Sequence, residues 1–294
     1  MPAAGERYNA GMILGAHLSI AGGPWHALER AAEYGFDCVA IFVRNQRQWR
    51  TGPLSEEVVR RFRRTRRRLG IGPVVAHGSY LINLAGREEV RSRSIAAMAE
   101  ELDRAGRLGA EYYVLHPGSP LADGRDVGIE RVSSALNEIV AGCGHRRVEV
   151  LLETTAGAGR QLAGTFEELA AILSPLRRRG RFGVCLDTCH VFAAGYDIRS
   201  RRAYDETMAA FDRIVGLDRL MAVHLNDSLG DLGSRRDRHE HIGAGRIGPD
   251  GFAHFVNDPR LASVPMILET PKGLDEQGRD WDRLNGELLR RLAT

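Results

Sequence analysis

Six histidine or carboxylate side chains stand at the ends of short apolar runs, and three more follow close behind. His77 closes PVVAH, His116 closes YYVLH, Glu153 closes VEVLLE, Asp187 closes FGVCLD, Glu269 closes PMILE, and His224 sits at the end of LMAVHL. His190, Asp237 and His239 complete the set. Imidazole and carboxylate together suit zinc or a similar divalent cation. One histidine at a strand end is more often structural than a ligand. The set is different, because so many buried polar groups are costly unless cations compensate them. Nine ligands are more than one zinc uses. They suit several ions sharing a bridging carboxylate, and Glu153 has two oxygens with which to bridge. In Asp187-Thr-Cys-His190 the carboxylate and the imidazole can reach two neighbouring ions rather than chelate one. Asp237 and His239 alternate on an extended loop, so both can face the same way. Clustered metals are well suited to phosphodiester hydrolysis, which points to a multi-metal hydrolase.

These residues must be positioned by strands. Eight apolar runs recur: MILGAH, DCVAIFV, PVVAH, YYVLH, VEVLLE, FGVCLD, LMAVHL and PMILE. Most are continuously apolar, the pattern of strands covered on both faces. Helical spacing lies between them: Trp25, Leu28, Ala31 and Ala32; Val58, Phe62 and Leu69 after a capping Ser55; Ile95, Met98, Leu102 and Ala105; Leu136, Ile139 and Val140. Thr165 and Glu168 form a capping box before LAAIL, and residues 203–215 and 279–292 are helix-like. Strands alternating with helices predict an α/β (β/α)8 TIM barrel, a single domain over 12–294, with its active site at the C-terminal ends of the strands. Residues 1–11 read as a flexible N-terminal extension. An open doubly wound sheet is the alternative. A nucleotide-binding sheet favours G-x-G-x-x-G after an early strand, and HLSIAGG does not match, so no nucleotide cofactor is expected. The long polar loop 226–250 is of a kind that often carries function.

Composition narrows the setting. The chain has 294 residues, 41 Lys and Arg against 38 Asp and Glu, and a net charge of +3. That mild excess permits a nucleic-acid partner without demanding one. Lys272 is the only lysine. The cysteines, Cys38, Cys143, Cys185 and Cys189, fit a reducing cytoplasm, and Cys185 and Cys189 read as packing residues rather than a zinc pair. The arginines between Arg60 and Arg68 could be a nucleic-acid patch but read better as the solvated face of a helix. No leader and no long apolar span is visible, so no membrane partner is expected.

Longer motifs carry a resemblance. GAHLSIAGG (15–23), RNQRQWR (44–50), HGSYLINL (77–84), LHPGS (115–119), VCLDTCHVFAAGYD (184–197), HLNDS (224–228), GSRRDRHEHIGAGRIG (233–248) and LET (268–270) resemble endonuclease IV, the apurinic/apyrimidinic endonuclease family also called deoxyribonuclease IV. The resemblance covers residues 12–292. It implies a (β/α)8 barrel holding three Zn2+, with one site open to Mn2+. It also implies cleavage of double-stranded DNA 5′ to an abasic site, leaving 3′-hydroxyl and 5′-deoxyribose phosphate ends. A 3′-phosphodiesterase or 3′-phosphatase side activity and action as a monomer are implied as well.

By position, His77 and His116 resemble ligands of the first zinc and Glu153 the bridge to the second. Asp187, His224 and Glu269 resemble the other ligands of the second, and His190, Asp237 and His239 the third site. Glu153 and Glu269 are the expected catalytic carboxylates. Arg47 and Gln48 match residues that probe damaged DNA, and Tyr80 and Leu81 match residues that enter the base stack. Outside those motifs, Tyr80 or Trp49 reads as a core or loop aromatic. Thr154 stands where many members carry asparagine, and Gly78 where some carry aspartate; neither is a ligand position. The rival functions are a metal-dependent sugar isomerase or epimerase on the same barrel, and a non-catalytic DNA-binding module. The trio His190, Asp237 and His239, the RNQRQWR loop and the scarcity of lysine speak against the first. The intact ligand set speaks against the second.

Overall fold

The apolar runs form the strands, and their parallel pairing sets their ends level. The computed structural model describes residues 12–145 and 147–294; the expected flexible extension 1–11 lies outside them. In chain order the strands are β1 (Ile13–His17), β2 (Cys38–Phe42), β3 (Val74–His77), β4 (Tyr112–Leu115), β5 (Glu149–Glu153), β6 (Phe182–Asp187), β7 (Leu220–Leu225), β8 (Asp227–Ser228), β9 (His239–Glu240) and β10 (Pro265–Leu268). β1 to β7 and β10 close into one parallel barrel, with β10 between β7 and β1. β8 and β9 pair antiparallel inside the loop 226–250. Register places Asp187 beside His224, Glu153 beside Cys185 and Phe42 beside His77.

The helices are α1 (Trp25–Glu33), α2 (Glu56–Leu69), α3 (Glu88–Leu108), α4 (Arg125–Gly142), α5 (Phe166–Leu173), α6 (Thr188–Ala194), α7 (Arg201–Ile214), α8 (Gly248–Val256) and α9 (Trp281–Leu292). Ser55 caps α2 by accepting from Val58 N at 3.3 Å. The helix ends at Gly70, whose φ of 69° a side chain would resist. Its buried face is Val59, Phe62 and Thr65, with Val58 and Leu69 only half-buried, so the inward stripe is turned by one residue from the expected one. The arginines Arg60, Arg61, Arg63, Arg64, Arg67 and Arg68 point outward. Thr165 caps α5 as expected, but Glu168 reaches back to Gly164 N (3.0 Å), one residue beyond the capping-box position.

Two layers of apolar packing follow. Cys38, Ala40, Val75, Val114, Leu151, Cys185, Ala222 and Ile267 fill the barrel interior. A larger cluster, including Leu28, Phe62, Leu102, Leu136, Phe211 and Phe255, packs helices on strands. The filled interior is a floor, and polar strand ends can gather only above it.

Candidate metal centre

Glu153 is the hub of that gathering. Its side chain is fully buried at the end of β5. His77 Nε2 and His116 Nε2 lie 3.2 and 2.9 Å from its Oε2, and His224 Nδ1 lies 2.9 Å from its Oε1. Three overlapping groups have the spacing to hold a cation: His77, Glu153, His224 and Glu269; His116, Glu153 and His190; Asp187, His190 and His239. Asp237 joins the third, with Oδ1 3.2 Å from His190 Nε2 and 3.4 Å from His239 Nε2. All nine expected ligands therefore meet at one mouth. The groups overlap: His77 and His116 face the same Glu153 oxygen, His116 also falls with His190, and His77 with Glu269.

Backbone carbonyls orient the imidazoles. His77 Nδ1 donates to Gly78 O (2.9 Å), His190 Nδ1 to Thr154 O (2.8 Å) and His239 Nδ1 to Glu269 O (3.0 Å). A carbonyl only accepts, so each Nε2 is left to face the site. His190 Nε2 and His239 Nε2 then stand 3.5 Å apart, with Asp237 beside both. Two lone pairs and a carboxylate converging in this way call for a proton or a cation between them. The donor set fits divalent ions.

Electrostatics point the same way. Burial works against charge on Glu153 and Glu269, but neighbouring histidines outweigh it and hold both carboxyls well below their usual range. Burial likewise opposes charge on His190, yet Asp187, Asp237 and Glu153 push it up to about 10. His224 is raised against burial, with Cys185, Glu269 and Glu153 as the opposing influences. Asp237 is drawn down to about 2, His190 overcoming its desolvation. Burial pushes the Cys185 thiol up to about 12 and raises Cys189 too, which disfavours the thiolate at both buried positions.

Several supporting residues escaped the sequence reading. His17 ends β1 in MILGAH, and its Nδ1 lies 2.7 Å from Glu269 Oε1. It was a seventh strand-end titratable group, and its position was the available signal. Asn226 donates to Asp187 Oδ2 (2.7 Å) and accepts from Glu269 N (2.8 Å). Asp227 is fully buried and accepts from Gly243, Gly245, Ile247 and Gly248 amides at 2.9 to 3.3 Å, folding the loop that carries Asp237 and His239. Thr154 accepts from Asp187 N (2.9 Å), so this departure from the family pattern still braces a ligand.

The expected DNA-probing residues stand on the same face. Arg47 and Gln48 are exposed on the loop after β2; Tyr80 is 71% exposed and Leu81 half-buried on the loop after β3. A pocket of about 210 Å³ opens beside His77 and His116 between the loops after β3, β4 and β5. A larger hollow of about 870 Å³ lies at the opposite end of the barrel, among Arg63, Arg66, Arg67 and Arg147. Chemistry rather than volume marks the site, because among the described residues the groups able to hold a metal ion are at the first mouth.

Known proteins repeat this architecture. The family described as a xylose isomerase-like TIM barrel matches residues 28–292. A protein of Chloroflexus aurantiacus named probable endonuclease 4 is 49% identical over 280 residues, covering 95% of this chain and 97% of its own. The crystal structure of endonuclease IV from Thermus thermophilus superposes with a TM-score of 0.83 at 41% identity, covering 95% of this chain and 98% of that one. A D-tagatose 3-epimerase-like protein superposes at 0.72 with 20% identity over 96% of this chain and 97% of its own, which is a likeness of fold alone.

Proposed function

The chain belongs to the endonuclease IV family, and we propose that it cuts double-stranded DNA on the 5′ side of abasic sites, leaving 3′-hydroxyl and 5′-deoxyribose phosphate ends. Family membership makes it a nuclease. The finer reading rests above all on one observation: Glu153 lies within 3.6 Å of four histidines, on β3, just after β4, on α6 and on β7. A carboxylate so placed is suited to bridge metal ions, and the nine ligands suit three, mainly zinc, with manganese able to take one place. When bound, such ions supply Lewis acidity toward the phosphodiester and toward the water that attacks it.

The protein's own residues do the rest. His77, His190 and His239 are each fixed by a backbone carbonyl at Nδ1, so their rings are already oriented toward an incoming ion. Glu269 is held between His17 and His224, and its carboxylate is placed to orient an attacking water. Direct attack by water requires no protein nucleophile, in keeping with the buried thiols of Cys185 and Cys189, whose ionisation is disfavoured. Arg235, Arg236, Arg238 and Arg246 are exposed on the loop beside the mouth and suit phosphate contacts. Arg47 and Gln48 would probe the lesion and Tyr80 and Leu81 fill the vacated stack. The same chemistry extends to 3′-blocking phosphodiesters and phosphates. Action as a monomer in the cytoplasm completes the reading; no helix among the described residues is long and apolar enough to cross a membrane. The test is nicking of a duplex containing one abasic-site analogue, with both new ends mapped. A cut on the 3′ side, or no cut by metal-loaded protein, overturns the proposal. Turnover of a ketose in its place would favour the epimerase rival.

A further inference from the structure

The loops that carry Arg47 and Tyr80 are tied to one buried carboxylate that takes no part in the metal centre. Glu101 lies within α3 with its side chain 1% exposed. Arg44, equally buried at the start of the loop after β2, donates from Nε to Glu101 Oε1 at 2.6 Å. Its Nη1 donates to Trp49 O at 3.0 Å, so one guanidinium spans the loop from Arg44 to Trp49. The other carboxylate oxygen, Oε2, accepts from Ser79 N (3.1 Å) and from Tyr113 Oη (2.7 Å). Ser79 Oγ in turn donates to Gln46 O (2.8 Å) and accepts from Leu81 N (3.3 Å). Gln46 immediately precedes Arg47, and Ser79 immediately precedes Tyr80. The two loops are thus joined one residue from each probing side chain.

Two observations argue that this arrangement serves geometry rather than stability. A buried ion pair is often no more stabilising than well-packed apolar residues, and its best-attested use is to fix a register. The departure at position 78 also acquires a reason. A Cβ on Gly78 would lie 2.8 Å from Tyr113 Oη, so glycine keeps clear the path by which Tyr113 reaches Glu101. We infer that Arg44, Glu101, Tyr113 and Ser79 form a positioning unit that holds both loops in a single register, so that Arg47 and Tyr80 meet the DNA duplex together. The inference rests on the proposed reading of those two side chains as duplex probes.

The experiment compares Glu101→Gln, Tyr113→Phe and Arg44→Met with Arg47→Ala and Tyr80→Ala in metal-loaded, full-length protein. Kd and cleavage are measured on an abasic duplex and on the same strand unpaired, together with metal content and a thermal melt. The unit's variants should raise Kd for the duplex by about tenfold, the effect of one lost hydrogen bond to a charged group. Metal content and single-strand cleavage should stay unchanged. Arg47→Ala and Tyr80→Ala should be non-additive in the parent chain and additive in Glu101→Gln, because their coupling passes through the unit. Arg44→Lys, which keeps the charge but not the second donor, should recover part of the loss seen with Arg44→Met. If Glu101→Gln does not fold, Tyr113→Phe stands in, since it leaves the ion pair intact. Equal losses on both substrates, or duplex binding kept by the unit's variants while Arg47→Ala and Tyr80→Ala weaken it, would overturn the positioning role. If Arg47→Ala and Tyr80→Ala themselves spare duplex binding, the reading of the loops fails first and this inference with it.

Discussion

Glu269 keeps its charge where burial alone would remove it. His224, His17 and His77 surround the carboxylate, and their combined field overcomes desolvation. Glu269→Gln keeps the shape and one ligating oxygen but loses the charge. It should still bind abasic DNA and cleave it slower by about a hundredfold or more, as expected for loss of a positioned acid–base group. Single-turnover cleavage at saturating enzyme measures this, and an unchanged rate would remove Glu269 from the mechanism. His17 acts one step further out. His17→Gln should loosen the hold on Glu269 and lower metal affinity by about tenfold or more, the usual effect of removing a ligand's support. Chelator competition reads it, and unaltered metal retention would reduce His17 to a packing residue against Phe42. The residues gathered at the mouth were legible in the sequence because they form a set: one titratable group closing an apolar run is ordinarily structural, but six such groups are costly to bury without compensation. Their supports were not, because Asn226, Asp227 and Thr154 act through hydrogen bonds between segments far apart in the chain.

At the scale of elements, all eight barrel strands and most helices were legible, since continuous apolar runs and 3.6-residue spacing are strong signals. The exceptions have physical reasons. Helix α6 is buried from Thr188 to Ala193, so it has no polar face and no amphipathic period to read. Helix α8 opens on Gly248 and Pro249 and contains Gly251, which local propensity disfavours. The β8–β9 pair has two residues per strand and is specified by Asp227 gathering amides, not by a pattern. On the proposed reading, the loops after β2 and β3 matter most for recognition. Flipping an abasic nucleotide costs a few kcal/mol, and side chains entering the stack offset part of that cost. Arg47→Ala and Tyr80→Ala should therefore weaken binding and nicking of an abasic duplex by about tenfold each. Metal content should not change, and a flexible single strand should suffer less, having no stack to open. Equal loss on both substrates would reveal simple phosphate contacts instead.

At the scale of the whole molecule, the barrel divides labour between a filled interior and a charged mouth. Tyr80, Leu121, Leu229, Leu232 and Leu274 are large apolar side chains left exposed, and all five ride on segments leaving the carboxyl ends of strands. The mouth itself concentrates carboxylates and imidazoles that compensate one another through protons. That compensation fixes the pH dependence of metal uptake. His190 is raised to about 10 and His224 is raised too, so the metal-free cluster carries protons on them at neutral pH. An incoming ion must expel those protons, so affinity should rise with pH toward about 10 for His190 and fall in acid. The stability of the metal-free protein follows a different course. The histidine contribution is fully present below the ordinary histidine value and is lost as pH rises through about 10 for His190. The contribution of Glu153 and Glu269 is present above the ordinary carboxylate range and is lost as pH falls through their depressed values. Metal-free protein should therefore melt highest between those limits, while metal-loaded protein should gain over it most on the alkaline side of neutrality. Elemental analysis should find about three divalent ions per chain, mainly zinc, a number of ions that a site able to generate the nucleophile and neutralise the leaving group can use. Calorimetric titration in buffers of different ionisation enthalpy counts the protons released as they bind. One tightly held ion per chain would end the three-ion reading, and uptake without proton release would show that His190 and His224 are neutral in the metal-free protein at that pH.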